Sequence, residues 1–190
     1  PERIEAIVRK LFPNAHINFV GESFGILKVH FMKDVEFDVA IPRTESKVAA
    51  GHKGFSIHSD PNLSFKEAAR RRDFTINAVS LDPLTGELHD PYLGLEDMSA
   101  KLLRVVDHGS FQEDPLRVYR GIQFAARLAF NVEEASLQLM KNMVNRGDLE
   151  QLSKERVTEE MKKLFLKAEK PSIGFSLMRE LGIIERSYPE

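Results

Sequence analysis

An acidic and a basic side chain lie three residues apart in segment 113–127, a spacing that would allow them to bind a nucleobase together. The carboxylate of Asp114 can only accept hydrogen bonds, and the guanidinium of Arg117 can only donate them. Side by side, they complement an amino group next to an unprotonated ring nitrogen, which cytosine and adenine present on their pairing edges. Uracil and guanine present the reverse pattern. The pair therefore predicts selection of C and A by side chains alone, with Arg120 placed to hold a phosphate.

The same helix face has a simpler interpretation, which the residues by themselves leave open. Helical periodicity puts Asp114, three arginines and Gly121 on one side of the helix and apolar residues on the other. Asp114 and Arg117 would then form an ion pair on a solvated surface. Such a pair contributes only about 0.2–0.5 kcal/mol.

A second polar group follows three consecutive arginines at 70–72. Asp73 and Asn77 flank apolar residues at the predicted start of a strand. A carboxylate beside a guanidinium, here Asp73 beside Arg72, can bind a ribose hydroxyl and distinguish ribose from deoxyribose. Turn formation and the favourable placement of arginines at a helix C-terminus would explain the same residues, so both interpretations stand.

Two carboxylates are candidates for a metal site. Glu36 and Asp38 are two residues apart in a predicted strand, so both point to one face. Mg²⁺ binds few protein carboxylates together with substrate phosphates, and Asp38 and Glu36 are therefore predicted Mg²⁺ ligands. A strand whose polar face lies in water would show the same spacing.

The elements that must position these groups fall into two units. The first contains a helix (1–12), strands (17–20, 25–31 and 35–41), a polar stretch (46–64), a short helix (65–71), a β segment (74–81), a return strand (87–89) and a further strand (102–106). The second contains helices at 114–129, 134–146, 154–168 and 173–182. The pattern predicts an α+β unit over 1–107 and an all-helical unit over 108–190.

Composition narrows the class of protein but leaves its function open. The 190 residues include no cysteine, which excludes disulfides and thiolate zinc sites. No apolar run approaches the roughly 20 residues that span a bilayer, so we expect a cytoplasmic protein without membrane contact. The formal net charge of −2 argues against a uniformly basic surface but permits a local arginine cluster that binds RNA phosphates.

Several segments, taken in order, resemble the motifs of one enzyme family. Residues 71–78 (RRDFTINA) and 113–120 (EDPLRVYR) are similar to motifs of the class II tRNA nucleotidyltransferases, which are CCA-adding enzymes, and of the bacterial poly(A) polymerases. The connecting segments 90–97 and 103–106 match in the same order, as do parts of 155–164. The similarity extends over nearly the whole chain.

The resemblance implies a polymerase-β-like nucleotidyltransferase head, N-terminally incomplete, over 1–107 and a helical neck that binds nucleobases and RNA over 108–190. The activity that it implies is template-independent addition of C and/or A to the 3′ end of tRNA from CTP and ATP, with Mg²⁺ as cofactor. Poly(A) addition is the alternative, because the two activities share these motifs.

The resemblance also assigns roles to individual residues. Arg72 and Asp73 would contact the ribose, and Asp114 and Arg117 would read the incoming base. Arg120 would contact the base or the triphosphate. Residues 35–43 resemble the strand that carries the family's third catalytic carboxylate, which here would be Asp38. The stretch 46–64 matches a mobile loop that helps the switch from C to A addition.

This sequence departs from the family pattern in two places. Relatives often have another arginine at the position of Gln123. The family's glycine-pair motif and Asp-x-Asp metal site precede the helix at 1–12, and this chain contains neither. We expect a missing N-terminal segment or a second chain to provide those aspartates, and this chain alone to be catalytically incomplete. The remaining alternative is a nucleotide- or RNA-binding fragment without catalysis.

Overall fold

A helix and a three-stranded antiparallel sheet begin the computed structural model, which describes residues 2–20, 26–32, 35–47 and 55–187. The elements, with sheet order β1–β2–β3, are α1 (Glu2–Leu11), β1 (His16–Val20), β2 (Ile26–Met32) and β3 (Val35–Val39). Leu27 and Val29 of the central strand are buried on one face. Lys28 lies opposite Asp38, and His30 lies opposite Glu36, so the other face is polar.

The polar stretch predicted as a mobile loop is flanked by an antiparallel hairpin. It is formed by β4 (Arg43–Lys47) and β5 (Phe55–Ser59), with Arg43 opposite Ser59. Of the stretch 46–64, residues 46–47 and 55–59 are therefore in strands and 60–64 are not, and 48–54 lie outside the described residues. The role of the stretch as a mobile loop stays a prediction. The Gly, Ser, His, Lys and Asn content of the stretch predicted a loop, and the short alternation of Phe55 and Ile57 with polar residues in β5 was too brief to outweigh that composition.

The segment 74–81 was predicted as one β segment and is mostly a turn. After α2 (Phe65–Arg70), the chain forms a 3₁₀ turn at Thr75–Asn77 and then a small hairpin of β6 (Ser80–Leu81) and β7 (Leu88–His89). The Asp73 carboxylate accepts a hydrogen bond from the backbone N–H of Phe74 at 2.9 Å. A side chain that binds its neighbouring backbone competes with strand pairing, which explains the difference.

The second half of the chain is helical apart from one short strand. Its elements, with those that lead into it, are α3 (Gly94–Ser99), β8 (Leu102–Leu103), α4 (His108–Glu113), α5 (Leu116–Leu128), β9 (Asn131–Val132), α6 (Glu134–Asn145), α7 (Lys154–Lys167), α8 (Pro171–Glu180) and α9 (Ile183–Ser187). The four long helices were predicted, whereas the short helix α4 was not. Strand β9, only two residues long within the unit predicted to be helical, pairs in parallel with β8.

Helix α5 runs through the centre of the core. Its buried side chains Val118 and Ile122 are fully enclosed, and the helix packs against α7 and α8. Gly174 permits the approach of α8, because a Cβ there would lie 2.5 Å from a methyl carbon of Leu164. The same core includes Phe74 from the first half of the chain. No described helix is both long enough and apolar enough to cross a membrane.

Candidate nucleotide-binding site

A cavity of about 500 Å³ opens beside the start of α5. It contains all six side chains that the sequence predicts to bind a nucleotide, although they come from segments about 40 residues apart. The lining residues are Arg71, Arg72, Asp73, Asn77, Asp114, Leu116, Arg117, Arg120, Phe124 and Arg156. Five arginines face two aspartates, so the cavity is suited to an anionic ligand that also offers hydrogen-bond donors.

The segment after α2 is held rigidly where it enters the cavity. Helix α2 begins with a capping box in which Ser64 and Glu67 bond each other's backbone N–H. Phe74 is completely buried, and the backbone N–H of Thr75 donates to the carbonyl of Arg104 at 2.9 Å. Asp73 is thereby fixed against the core with only 6% of its surface exposed.

Asp73 pairs with an arginine that the sequence did not assign to it. Its Oδ2 accepts a hydrogen bond from Arg120 Nε at 2.7 Å and lies 2.6 Å from Arg120 Nη2 in the same ion pair. Its Oδ1 accepts from the side-chain amide of Asn77 at 3.0 Å. The neighbouring Arg72, predicted as the partner guanidinium, is exposed and lines the cavity. The structure therefore places Arg120 against the proposed ribose-binding carboxylate.

Asp114 lies at the junction of α4 and α5, where its backbone leaves the helical conformation. Its Oδ1 accepts from the backbone N–H of Leu116 at 3.2 Å, which ties the side chain to the first turn of α5. Both carboxylate oxygens accept from Nη2 of Arg156 on α7, at 3.2 and 2.9 Å. Asp114 is thus held at the cavity wall by a charged partner on another helix.

Arg117 is oriented by backbone carbonyls. Its Nη1 donates to the carbonyl of Ser110 at 2.8 Å, and its Nη2 donates to the carbonyl of Arg71 at 2.7 Å. Two contacts from different segments fix the plane of the guanidinium. A fixed donor plane next to a fixed carboxylate is the arrangement that recognition of a base edge requires.

Phe124, which also lines the cavity, has two arginine side chains close to its ring. The guanidinium carbons of Arg120 and Arg127 lie 5.3 and 5.9 Å from the centre of the Phe124 ring. Gln123 is buried, and its side-chain oxygen accepts from Arg127 at 3.1 Å. The position where relatives often carry an arginine is therefore used inside the protein and does not line the cavity.

Sequence reasoning missed the roles of two lining residues. Arg156 belongs to a segment that resembles the family, but no role followed from its position. Phe124 follows Arg120 by four residues, and this spacing could have identified it as part of the same helix face. Arg156 offered no such signal, because its partner lies 42 residues away.

The predicted metal ligands lie outside this cavity. Glu36 and Asp38 share the polar face of β3 as predicted, and Lys28 of β2 binds both. Hydrogen bonds to Glu36 and Asp38 raise the pKa of Lys28, and the contact with Lys28 lowers the pKa of Glu36. His30 Nδ1 lies 3.2 Å from Glu36 Oε2. The ammonium group of Lys28 therefore contacts the two carboxylates that were predicted to bind Mg²⁺.

No group of three or more carboxylate or histidine side chains suited to a metal ion occurs in the described part of the chain. Two carboxylates bridged by a lysine do not form a complete Mg²⁺ site, because Mg²⁺ demands near-octahedral oxygen coordination. The assignment of Asp38 and Glu36 to metal binding stays a prediction.

Comparison with known proteins gives two family matches, one for each half of the chain. A family described as the poly(A) polymerase head domain matches residues 2–104. A second, described as a probable RNA- and SrmB-binding site of polymerase A, matches residues 129–190.

Individual relatives agree with these matches. The chain is 40% identical over 171 residues to the multifunctional CCA protein of Laribacter hongkongensis, and the matched region covers 90% of this chain and 41% of that protein. Among solved structures, a CCA-adding enzyme with CTP is similar with a TM-score of 0.78 and 26% identity, covering 99% of this chain and 42% of the other. The Thermotoga maritima CCA-adding enzyme complexed with tRNA gives 0.77 and 25%, covering 99% and 41%. The chain thus spans about two fifths of the length of these relatives.

Proposed function

The chain belongs to the poly(A) polymerase head-domain family of nucleotidyltransferases, and from this membership we propose that it adds C and A to the 3′ end of tRNA from CTP and ATP. The predicted fold class, a nucleotidyltransferase head followed by a helical neck, is confirmed by the similarity to solved CCA-adding enzymes. The proposed partners are the tRNA 3′ end and the two nucleotides. The proposed compartment is the cytoplasm.

The observation that carries this proposal is that Asp114 and Arg117 line the same cavity, each held in place by contacts of its own. Asp114 is an acceptor anchored by Leu116 N–H and Arg156, and Arg117 is a donor anchored by two carbonyl oxygens. An acceptor and a donor in fixed positions fit the amino group and ring nitrogen of cytosine and adenine. The proposed selection needs no nucleic-acid template, because the side chains take the place of the pairing base.

The remaining cavity residues support binding of the rest of the nucleotide. Asp73, with Asn77 and Arg120, provides a hydrogen-bonding group for the ribose. Arg72, proposed to contact the ribose together with Asp73, is exposed at the cavity and adds positive charge beside a bound nucleotide. We propose these roles together, because all of the residues open onto one cavity.

The metal is a separate part of the proposal. Nucleotidyltransferases of this family generally use a divalent metal ion. We propose Mg²⁺, with Asp38 as the catalytic carboxylate and Glu36 beside it. Glu36 and Asp38 provide only two carboxylates, and Lys28 contacts both of them. A Mg²⁺ ion would therefore have to displace Lys28 and take its remaining ligands from a further segment or a second chain.

The activity is tested with the full-length protein and tRNA that lacks its 3′ end. Supplied with each nucleotide separately, the protein should incorporate CTP and then ATP, and it should reject UTP and GTP. Homopolymeric A tails on unrelated RNA would instead favour poly(A) addition. Failure to bind any nucleotide would contradict both activities.

The base-reading role is tested by Asp114→Ala and Arg117→Ala in the same protein. Each substitution removes one hydrogen-bonding partner of the base and should reduce the preference for CTP and ATP over UTP and GTP by about 1–3 kcal/mol, or roughly 5- to 150-fold. The measurement is the ratio of kcat/KM values for the four nucleotides. A preference that survives both substitutions would refute the role.

A further inference from the structure

Donors surround both carboxylate oxygens of Asp73. Oδ1 accepts from the backbone N–H of Phe74 at 2.9 Å and from Asn77 at 3.0 Å, which uses both of its acceptor positions. Oδ2 accepts a hydrogen bond from Arg120 Nε at 2.7 Å, and Nη2 of the same guanidinium lies 2.6 Å away. A ribose hydroxyl that donates to Asp73 must therefore reach Oδ2, where it competes with Arg120.

Arg120 is the donor that can move. The Phe74 N–H is part of the backbone next to a completely buried ring, and Asn77 belongs to the 3₁₀ turn. Arg120 reaches Asp73 with a long side chain from a helix 47 residues away. Moving a guanidinium away from its carboxylate is costly inside a protein unless another acceptor takes its place.

Glu160 on α7 lies where that second acceptor is needed. Its side chain is buried, with 6% exposed, and its Oε1 lies 4.0 Å from Nη1 of Arg120. Oε1 also accepts from Lys163 at 2.7 Å. Oε2 is buried without a hydrogen-bond partner among the described residues. An unpaired buried carboxylate oxygen is unfavourable and needs an explanation.

We propose that Glu160 is a positioning residue that receives Arg120 when a ribose hydroxyl binds to Asp73. This inference rests on the proposed function, because it assumes that the cavity binds a ribonucleotide. In the free protein, Arg120 covers Oδ2 of Asp73, and Oε2 of Glu160 has no hydrogen-bond partner among the described residues. On binding, Arg120 moves by about 1 Å towards Glu160 to reach hydrogen-bond distance. The guanidinium then keeps a carboxylate partner throughout, which offsets the cost of its release.

The transfer predicts that Glu160 affects recognition of the 2′-hydroxyl specifically. Glu160→Gln keeps the shape of the side chain but removes the negative charge that attracts Arg120. Arg120 should then remain on Asp73 and compete with the ribose. The affinity for CTP should fall about tenfold or more, whereas the affinity for 2′-deoxy-CTP, which lacks that hydroxyl, should change little.

The experiment measures CTP and 2′-deoxy-CTP binding by calorimetry for wild-type protein, Glu160→Gln and the control Glu159→Gln. Glu159 is the adjacent residue on the same helix, is 63% exposed, and pairs with Lys162. The proposal expects the ratio of the two affinities to fall only in Glu160→Gln. Equal losses for both nucleotides, or no loss, would overturn it and leave the proposed function intact. Wild-type protein that binds neither nucleotide would overturn both.

A second measurement is made on wild-type protein and does not depend on the stability of Glu160→Gln. The ¹⁵N–¹H resonance of the Arg120 Nε group, identified by its loss in Arg120→Lys, reports the partner of that N–H. CTP should shift this resonance strongly, and 2′-deoxy-CTP should shift it far less. An unchanged resonance at saturating CTP, or equal shifts with both nucleotides, would contradict the transfer.

Discussion

Each aspartate of the cavity is held by an arginine from a distant part of the chain. Arg156 on α7 binds Asp114, and Arg120 on α5 binds Asp73. A side chain that must recognise a ligand edge is more selective when its own orientation is fixed before binding, because less ordering is required on binding. At the scale of single residues, these ion pairs therefore matter as much as the groups that contact the nucleotide.

Arg156 provides a prediction at this scale. In Arg156→Met, Asp114 keeps the hydrogen bond from Leu116 but loses its charged partner, so its carboxylate becomes mobile. The preference of the full-length protein for CTP over UTP should fall by about 1–2 kcal/mol, the contribution of a hydrogen bond to a charged group. Single-nucleotide incorporation rates provide the measurement. Lys154→Met, on an exposed position of the same helix, is the control, and an equal preference in both variants would contradict the prediction.

At the scale of elements, the packing of α5 in the core determines which of its side chains line the cavity. Its buried residues, such as Val118 and Ile122, fix the rotation of the helix, so Arg117 and Arg120 point into the cavity. Gly121 contributes by having no side chain, because a Cβ there would lie 3.0 Å from the terminal methyl of Met140.

The preceding helix, α4, is fixed at its N-terminus by Asp107. This carboxylate accepts from the backbone N–H of Ser110 at 2.8 Å and pairs with Arg70 of α2 at 3.0 Å. Burial alone would raise the pKa of Asp107, but the hydrogen bonds from Ser110 and Arg70 outweigh it and lower the pKa below its ordinary value of 3.8. A lowered pKa in the folded state means that the ionised form stabilises the fold.

The consequence is a defined pH dependence of stability. The contribution of Asp107 is complete above pH 3.8 and is lost as the pH falls through the lower pKa of the folded protein. Asp107→Asn keeps a capping oxygen but cannot titrate or pair with Arg70. It should lower the free energy of unfolding by about 0.5–1 kcal/mol at pH 7, a modest value because Arg70 is largely exposed.

Urea unfolding of Asp107→Asn at pH 7 and at pH 3 tests this dependence, and the difference from wild type should shrink at the lower pH. Glu169→Gln, at an exposed position on another part of the surface, controls for the loss of one negative charge. A difference that is constant between the two pH values would show that Asp107 acts only as a neutral cap.

At the scale of the whole molecule, a chain of hydrogen bonds connects the first half of the protein to the helical half. Asp97 of α3 accepts from the Thr75 hydroxyl at 2.7 Å and from Arg104 at 3.1 Å. Arg104 also lies 3.5 Å from Glu133, and Glu133 accepts from the Ser136 hydroxyl at 2.7 Å. Because Thr75 begins the turn after Asp73, this network connects the segment that carries Asp73 to the start of α6.

The buried position of Asp97 makes it the sensitive member of the network. Asp97→Ala leaves the Thr75 hydroxyl and Arg104 without this acceptor, and the free energy of unfolding should fall by about 2–4 kcal/mol. Asp97→Asn keeps an oxygen for Thr75 and should cost less. Chemical denaturation of both variants tests this order. A decrease below about 0.5 kcal/mol for Asp97→Ala would contradict the prediction, because changes that small are typical of substitutions at the protein surface.

Much of this protein is determined by its sequence. Helical periodicity predicted the four long helices of the second half, because an apolar face that repeats over 10 or more residues is a strong local signal. The resemblance of 71–78 and 113–120 to family motifs identified the six side chains that the cavity brings together. Complementarity between an acid, a guanidinium and a base edge follows from residue chemistry alone and needs no coordinates.

Tertiary structure decided which charges meet. The sequence placed Asp73 beside Arg72, and the fold instead pairs Asp73 with Arg120 and Asp114 with Arg156. The β8–β9 pairing and the 3₁₀ turn at Thr75–Asn77 were likewise outside the reach of local patterns. The physical reason is the same in each case. Ion pairs and strand pairings between distant residues depend on how the helices pack around a common core, and no periodicity within one segment records that packing.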